Sequence, residues 1–107
     1  MDRYFAKPEV DADLMRSAEW IALDNPVSAE KFLDTAFKSF EFLARFPEAG
    51  PRARMKDRRL KDVRFWVLPP PFNRWLVFYS LKDDSSVVVL RVLHSAQNWR
   101  ERTEEFL

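Results

Sequence analysis

From Val10 onward, apolar residues recur at three- and four-residue intervals. Val10, Leu14, Ala18, Ile21 and Ala22 are interleaved with Asp11, Asp13, Arg16 and Glu19. The pattern predicts an amphipathic helix over residues 9–23. Asp24-Asn25-Pro26 then stops one helix and starts another: Asn25 is a good N-cap, and Pro26 falls where the first helical N–H lacks an intrahelical acceptor anyway. Ala29, Phe32, Leu33, Ala36, Phe37, Phe40, Leu43, Ala44 and Phe46 carry the same period to residue 46, and Pro47 and Gly50-Pro51 end it. So short a link forces an antiparallel helical hairpin, and the phenylalanine stripe of its second helix needs a surface to cover it.

The rest of the chain supplies that surface. Leu60–Leu68, Arg74–Leu81 and Ser86–Leu93 are rich in Val, Phe, Trp, Tyr and Leu and predict three strands, the first two separated by Pro69-Pro70-Pro71 and the last two by Lys82-Asp83-Asp84-Ser85. Consecutive hairpins make a meander. Val87-Val88-Val89-Leu90 is apolar on both pleat faces, as a strand inside a sheet would be, and a brief strand over residues 3–6 can be its second neighbour. Residues 97–106 return to helical spacing and predict a short terminal helix, with Trp99 and Phe106 as its exposed aromatics. The expected fold is α+β, in the order β-α-α-β-β-β: one domain over residues 1–107, with an antiparallel sheet, the helical hairpin on one face and a C-terminal helix.

Composition narrows the chemistry. The 107 residues include sixteen aromatics, no cysteine, one histidine (His94) and one glycine (Gly50). Thiolate chemistry is excluded, a lone histidine does not make a metal site, and no glycine-rich phosphate loop can form, so neither metal nor cofactor is expected. Met1 is followed by Asp2, Arg3 and Tyr4 rather than the apolar core of a signal peptide, and no apolar run approaches the length of a membrane span. A cytoplasmic protein without membrane contact is expected. The near-neutral total charge conceals a local excess, for residues 52–64 hold seven basic side chains against two acidic ones. Such a segment suits an anionic partner, nucleic acid or an acidic protein face, as well as a solvated loop.

Three residues stand out individually. His94 ends the last predicted strand and has the side chain suited to proton transfer at neutral pH. Its neighbour Ser95 would point to the opposite face, which rules out a hydrolytic pair. Arg74 and Arg91 sit in otherwise apolar strands, where a charge must reach solvent, find a partner or serve function. The acidic residues fall mostly on polar helix faces or in the Asp83-Asp84 turn, where solvation accounts for them.

The spacing of Asp13-Leu14, Asn25-Pro26 with Ala29 and Phe32, and Leu43-Ala44-Arg45-Phe46-Pro47-Glu48-Ala49-Gly50 resembles the RelE/ParE superfamily of bacterial toxin–antitoxin toxins. Trp75-Leu76-Val77-Phe78-Tyr79 is similar to that family's central strand, and Val89-Leu90-Arg91-Val92-Leu93-His94-Ser95-Ala96-Gln97-Asn98-Trp99 to its closing strand and following turn. The resemblance implies a plasmid-stabilisation toxin that associates with a cognate small antitoxin in a hetero-oligomer. RelE-type members cut ribosome-bound mRNA with a set of Lys and Arg and often a late Tyr or His; ParE-type members poison DNA gyrase without that set. Gln97 stands where a nuclease would carry an Arg, Leu68-Pro69 near another such position, and the late Tyr is missing. The ParE-like branch is therefore favoured, a non-enzymatic gyrase inhibitor with no catalytic residue. Its target surface would comprise Arg58, Arg59, Lys61, Arg64, Arg91, His94 and Trp99, and its antitoxin surface Phe32, Phe40, Trp75 and Tyr79. The alternatives are a ribosome-dependent mRNA endonuclease working through His94, Arg64, Arg74 and Arg91, and a non-toxic relative that only binds. Lys7 in place of the family's Ser or Thr before the first helix, and Asn98 in place of an acid after the His turn, are departures from the family pattern.

Overall fold

The computed structural model describes residues 3–107. Strand β1 (Tyr4–Ala6) leads into helices α1 (Pro8–Ala22) and α2 (Pro26–Arg45), and strands β2 (Arg64–Val67), β3 (Trp75–Leu81) and β4 (Val87–His94) follow. The capping expectations hold: the Asn25 side chain accepts the Ser28 N–H at 3.2 Å, whereas Lys7 gives α1 no side-chain cap. Among the described residues no helix is long and apolar enough to cross a membrane.

The four strands form one sheet in the order β1-β4-β3-β2, so β4 lies inside it as its two-sided apolar character requires. The sheet is mixed, not antiparallel throughout. β2, β3 and β4 pair antiparallel, but β1 runs parallel to β4, with Tyr4 opposite Val87 and Ala6 opposite Val89. Two hairpin reversals leave β4 running in the direction of β2, and the long excursion through both helices supplies the crossover that a parallel neighbour needs.

Both faces of the sheet are covered. Val10 and Leu14 of α1 and Phe32, Ala36, Phe40 and Leu43 of α2 pack on Val77, Tyr79, Val87, Val89 and Val92. The opposite face carries Leu76, Phe78, Leu90 and Leu93 beneath Ala53, Met55, Leu60, Val63, Trp99 and Phe106. β2 begins at Arg64 rather than at the expected Leu60, which ends a 3-10 turn, Arg58–Leu60, followed by a turn through residues 61–62, and the expected C-terminal helix is two 3-10 turns, Trp99–Glu101 and Thr103–Phe106. Trp99 and Phe106 are buried rather than exposed, their rings 4.9 and 5.0 Å from that of Phe78. Short turns let the tail follow the sheet and drop both aromatics onto it, which a straight helix of that length would not do.

The basic segment is thus a covering layer in which apolar and cationic residues alternate. Ala53, Met55, Leu60 and Val63 face inward, and Arg52, Arg54, Lys56, Arg58, Arg59 and Lys61 face solvent. Its start lies along the outer edge of β2, where the Ala53 N–H donates to the Val63 carbonyl at 2.8 Å and the Phe65 N–H to the Pro51 carbonyl at 3.0 Å.

Candidate functional site

Asp13 organises the end of the sheet. β1 accompanies β4 only as far as Val89, so the edge of β4 beyond that point lacks a strand partner. The Asp13 carboxylate takes that role: its Oδ2 accepts the Val92 N–H at 3.0 Å. A bulge beside Leu90 shifts the register, so that Phe78 faces Arg91 and Tyr79 faces Val89. The Arg91 guanidinium reaches Asp13 in a two-pronged contact, Nε to Oδ2 and Nη2 to Oδ1, both at 2.7 Å. Asp13 is 1% exposed and Arg91 9%. The hydrogen bonds to Asp13 hold the Arg91 pKa above its ordinary value against desolvation, so the guanidinium keeps its charge. Glu105 of the tail lies 3.5 Å from the Arg91 Nη1.

Beside this pair a cleft of about 480 Å³ opens between α1 and the ends of β3 and β4. Trp75 forms its floor, 7% exposed, with its indole N–H donated to the Ser17 hydroxyl at 3.1 Å and the His94 ring edge-on at 4.9 Å. The turn after β4 is tied down through its backbone N–H groups, which donate to the Arg74 carbonyl and to two of its own side chains. Ser95 N–H donates to the Arg74 carbonyl at 2.6 Å, His94 N–H to Gln97 Oε1 at 3.1 Å, and Ala96 N–H to His94 Nδ1 at 3.0 Å. With Nδ1 serving as acceptor, the neutral imidazole carries its proton on Nε2.

A second anchor holds the chain between α2 and β2. The Tyr79 hydroxyl donates to the Pro47 carbonyl at 2.8 Å and accepts the Gly50 N–H at 2.9 Å. Burial raises the phenol pKa, partly offset by the Gly50 N–H and by Arg64. A Cβ on Gly50 would stand 2.2 Å from the Phe65 carbonyl oxygen, so only glycine fits. Arg64 donates to the Gly50 carbonyl at 2.7 Å and the Glu48 carbonyl at 3.4 Å.

The candidate residues therefore divide. His94 and Arg74 share the cleft; Arg91 is adjacent but committed to Asp13. Arg64 lies opposite Tyr79 and His94 opposite Trp75, about 13 Å apart along the strands at about 3.3 Å per residue, with two strand spacings between. The four proposed nuclease groups do not converge. Arg58 and Lys61 are exposed on the basic layer, and Arg59 is engaged by Asp57 at 2.8 Å. Trp99 is buried, but the Arg100 guanidinium caps its ring at 4.1 Å. Phe32, Phe40 and Tyr79 are 0% exposed, so they lie beneath the surface rather than on it. The exposed aromatics of α2 and its end are Phe37, 5.8 Å from Phe40, and Phe42 and Phe46, with Phe42 5.0 Å from Trp66 and 5.1 Å from Phe46. Helical periodicity marks both sets as apolar, but only the sheet decides which of them face out. Arg16, Ser17, Trp20 and Gln97, which complete the cleft, have no sequence signal beyond polarity or position. Among the described residues, no three His, Asp or Glu side chains gather to hold a metal ion.

The N-terminal helical hairpin on an open four-stranded sheet agrees with the fold that the resemblance to the class of RelE/ParE toxins implies. Within that class, residues 4–99 match the family described as the ParE toxin of type II toxin–antitoxin system, parDE, and the chain belongs to that family. A comparison with curated proteins finds no match.

Proposed function

We propose that this toxin inhibits DNA gyrase by binding it, without cleaving nucleic acid, and that a small cognate antitoxin neutralises it. The observation that carries this reading is the Asp13–Arg91 pair. Phosphodiester cleavage needs unengaged cations around the scissile group and a group to move the proton. Arg91 is buried and neutralised, and Arg64 is spent on the Gly50 carbonyl away from His94. What the chain offers is a binding surface, the outward cations of residues 52–61 with Arg100, on the side of the sheet away from the helices. The antitoxin covers the aromatic patch of Phe42, Phe46 and Trp66 on the edge of the helical layer, where burying apolar area provides the affinity.

The test is a gyrase supercoiling assay with purified protein that also follows accumulation of cleaved DNA. Inhibition with trapped breaks is the expected result. The absence of both at large protein excess overturns the reading. Arg74 beside His94 in one cleft favours ribosomal mRNA cleavage as the second reading, and the outcome that selects it is loss of toxicity in His94→Ala with the fold retained. Growth arrest on expression excludes a relative that only binds.

A further inference from the structure

The cleft between α1 and the sheet end has an unbalanced set of free polar groups. Both Asp13 oxygens are consumed by Arg91 and the Val92 N–H, with Arg16 a further 3.5 Å from Oδ1. Ser17 Oγ has accepted the Trp75 indole N–H, which leaves its O–H to donate. Gln97 Oε1 has accepted the His94 N–H, which leaves its NH2. His94 Nδ1 has accepted the Ala96 N–H, which leaves the Nε2 proton. Arg74 is exposed and its guanidinium has no partner among the described residues. Ser17, Gln97 and His94 thus each have an acceptor engaged and a donor left over, and Arg74 adds donors alone. Beside these donors, Trp20 is 64% exposed at the rim, its ring 6.2 Å from that of Trp75, so that two indoles form an apolar wall and floor.

We propose that this cleft receives an acidic–apolar segment of a partner protein: one carboxylate held by Arg74, His94 and Gln97, and an adjacent apolar or aromatic side chain set against Trp20 and Trp75. Arg74, His94 and Gln97 line one cleft, and a charged acceptor forms stronger bonds with such donors than a neutral one does. A nucleic-acid strand fits less well. Glu9, Asp11, Glu19 and Asp24 are exposed along α1 and its end, and would repel the phosphates that follow the first, whereas a single carboxylate presents one charge. The cleft lies apart from the outward cations of residues 52–61 and from the patch of Phe42, Phe46 and Trp66, but shares Arg74 and His94 with the nuclease reading, which the phosphate ligands below separate from it.

The experiment is a titration of 15N-labelled protein with acetyl-Glu-Phe-Leu-amide and with its acetyl-Gln-Phe-Leu-amide counterpart. It follows the Trp20 indole N–H and the Gln97 side-chain amide. The glutamate peptide is expected to saturate both signals with a Kd about tenfold below that of the glutamine peptide, the gain of a charged over a neutral acceptor. Arg74→Gln is expected to erase that preference and Trp20→Ala to weaken both peptides. Both side chains are exposed, so an unchanged spectrum elsewhere shows the fold intact. Equal affinity for the two peptides, or the absence of a saturable shift, overturns the proposal. Tighter binding of thymidine 5′-phosphate or inorganic phosphate than of the glutamate peptide also overturns it and assigns the cleft to a phosphate ligand. Gyrase inhibition is measured without peptide, so neither result decides the other.

Discussion

Asp13 and Arg91 lie 78 positions apart in the chain and meet through two parallel hydrogen bonds of 2.7 Å, buried between α1 and β4. The same carboxylate also completes the backbone bonding of β4 at Val92. One side chain therefore joins the helical layer to the sheet, and removing either partner leaves the other as an uncompensated buried charge.

Asp13→Ala is expected to lower stability by about 3–5 kcal/mol, the usual cost of breaking a buried pair from one side. The double replacement Asp13→Leu with Arg91→Met is expected to cost less than the two single changes together, because no lone charge remains. Urea unfolding of the wild type, Asp13→Ala, the two single changes and the double variant checks both statements, and strict additivity would show that the pair is not coupled.

Tyr79→Phe keeps the ring and loses two hydrogen bonds, leaving the Gly50 N–H and the Pro47 carbonyl without their partner. A loss of about 1–3 kcal/mol is expected. Gly50→Ala acts at the same point by another route. Its Cβ meets the Phe65 backbone oxygen, which cannot swing away as a flexible side chain would, and about 2 kcal/mol or more should be lost. Thermal unfolding by circular dichroism measures each.

The carboxyl of Asp57 is held at about 2, well below its ordinary 3.8, chiefly by hydrogen bonds from the Arg59 side chain and then from its backbone N–H. A depressed folded-state value means that the contact supports the folded state above the ordinary carboxylate pKa and ceases to do so as pH falls toward 2. Carbon-13 NMR titration is expected to place the Asp57 midpoint near 2. In Arg59→Gln the midpoint should move up toward 3.8. An unmoved midpoint would exclude the Arg59 side chain as the cause.

Reversing the charge of the exposed layer tests the proposed gyrase-binding surface. Arg58→Glu with Lys61→Glu is expected to raise the concentration needed for half-inhibition of supercoiling by about tenfold or more, with unfolding unchanged, since rim charges govern encounter and salt dependence. The wild-type protein should lose potency with added salt more steeply than the variant. Unaltered potency would place the contact elsewhere.

Local order determined what the sequence by itself could show. The 3.6-residue period of both helices, the Asn25-Pro26 junction, the two-sided apolar run of β4 and the motifs of the toxin family all depend on neighbours a few residues apart, and each is legible without a fold. Three features were decided only in three dimensions. The direction of β1 depends on where the chain re-enters the sheet after both helices. Trp99 and Phe106 are buried because Phe78 and Leu90 leave the second face of the sheet apolar, so the tail and the basic segment close over it. Arg91 changes from a candidate functional cation to a structural one because Asp13, on a distant helix, reaches it. Periodicity records which residues are apolar or charged, but burial and pairing follow from surfaces brought together across the whole chain, and no short stretch of sequence contains them.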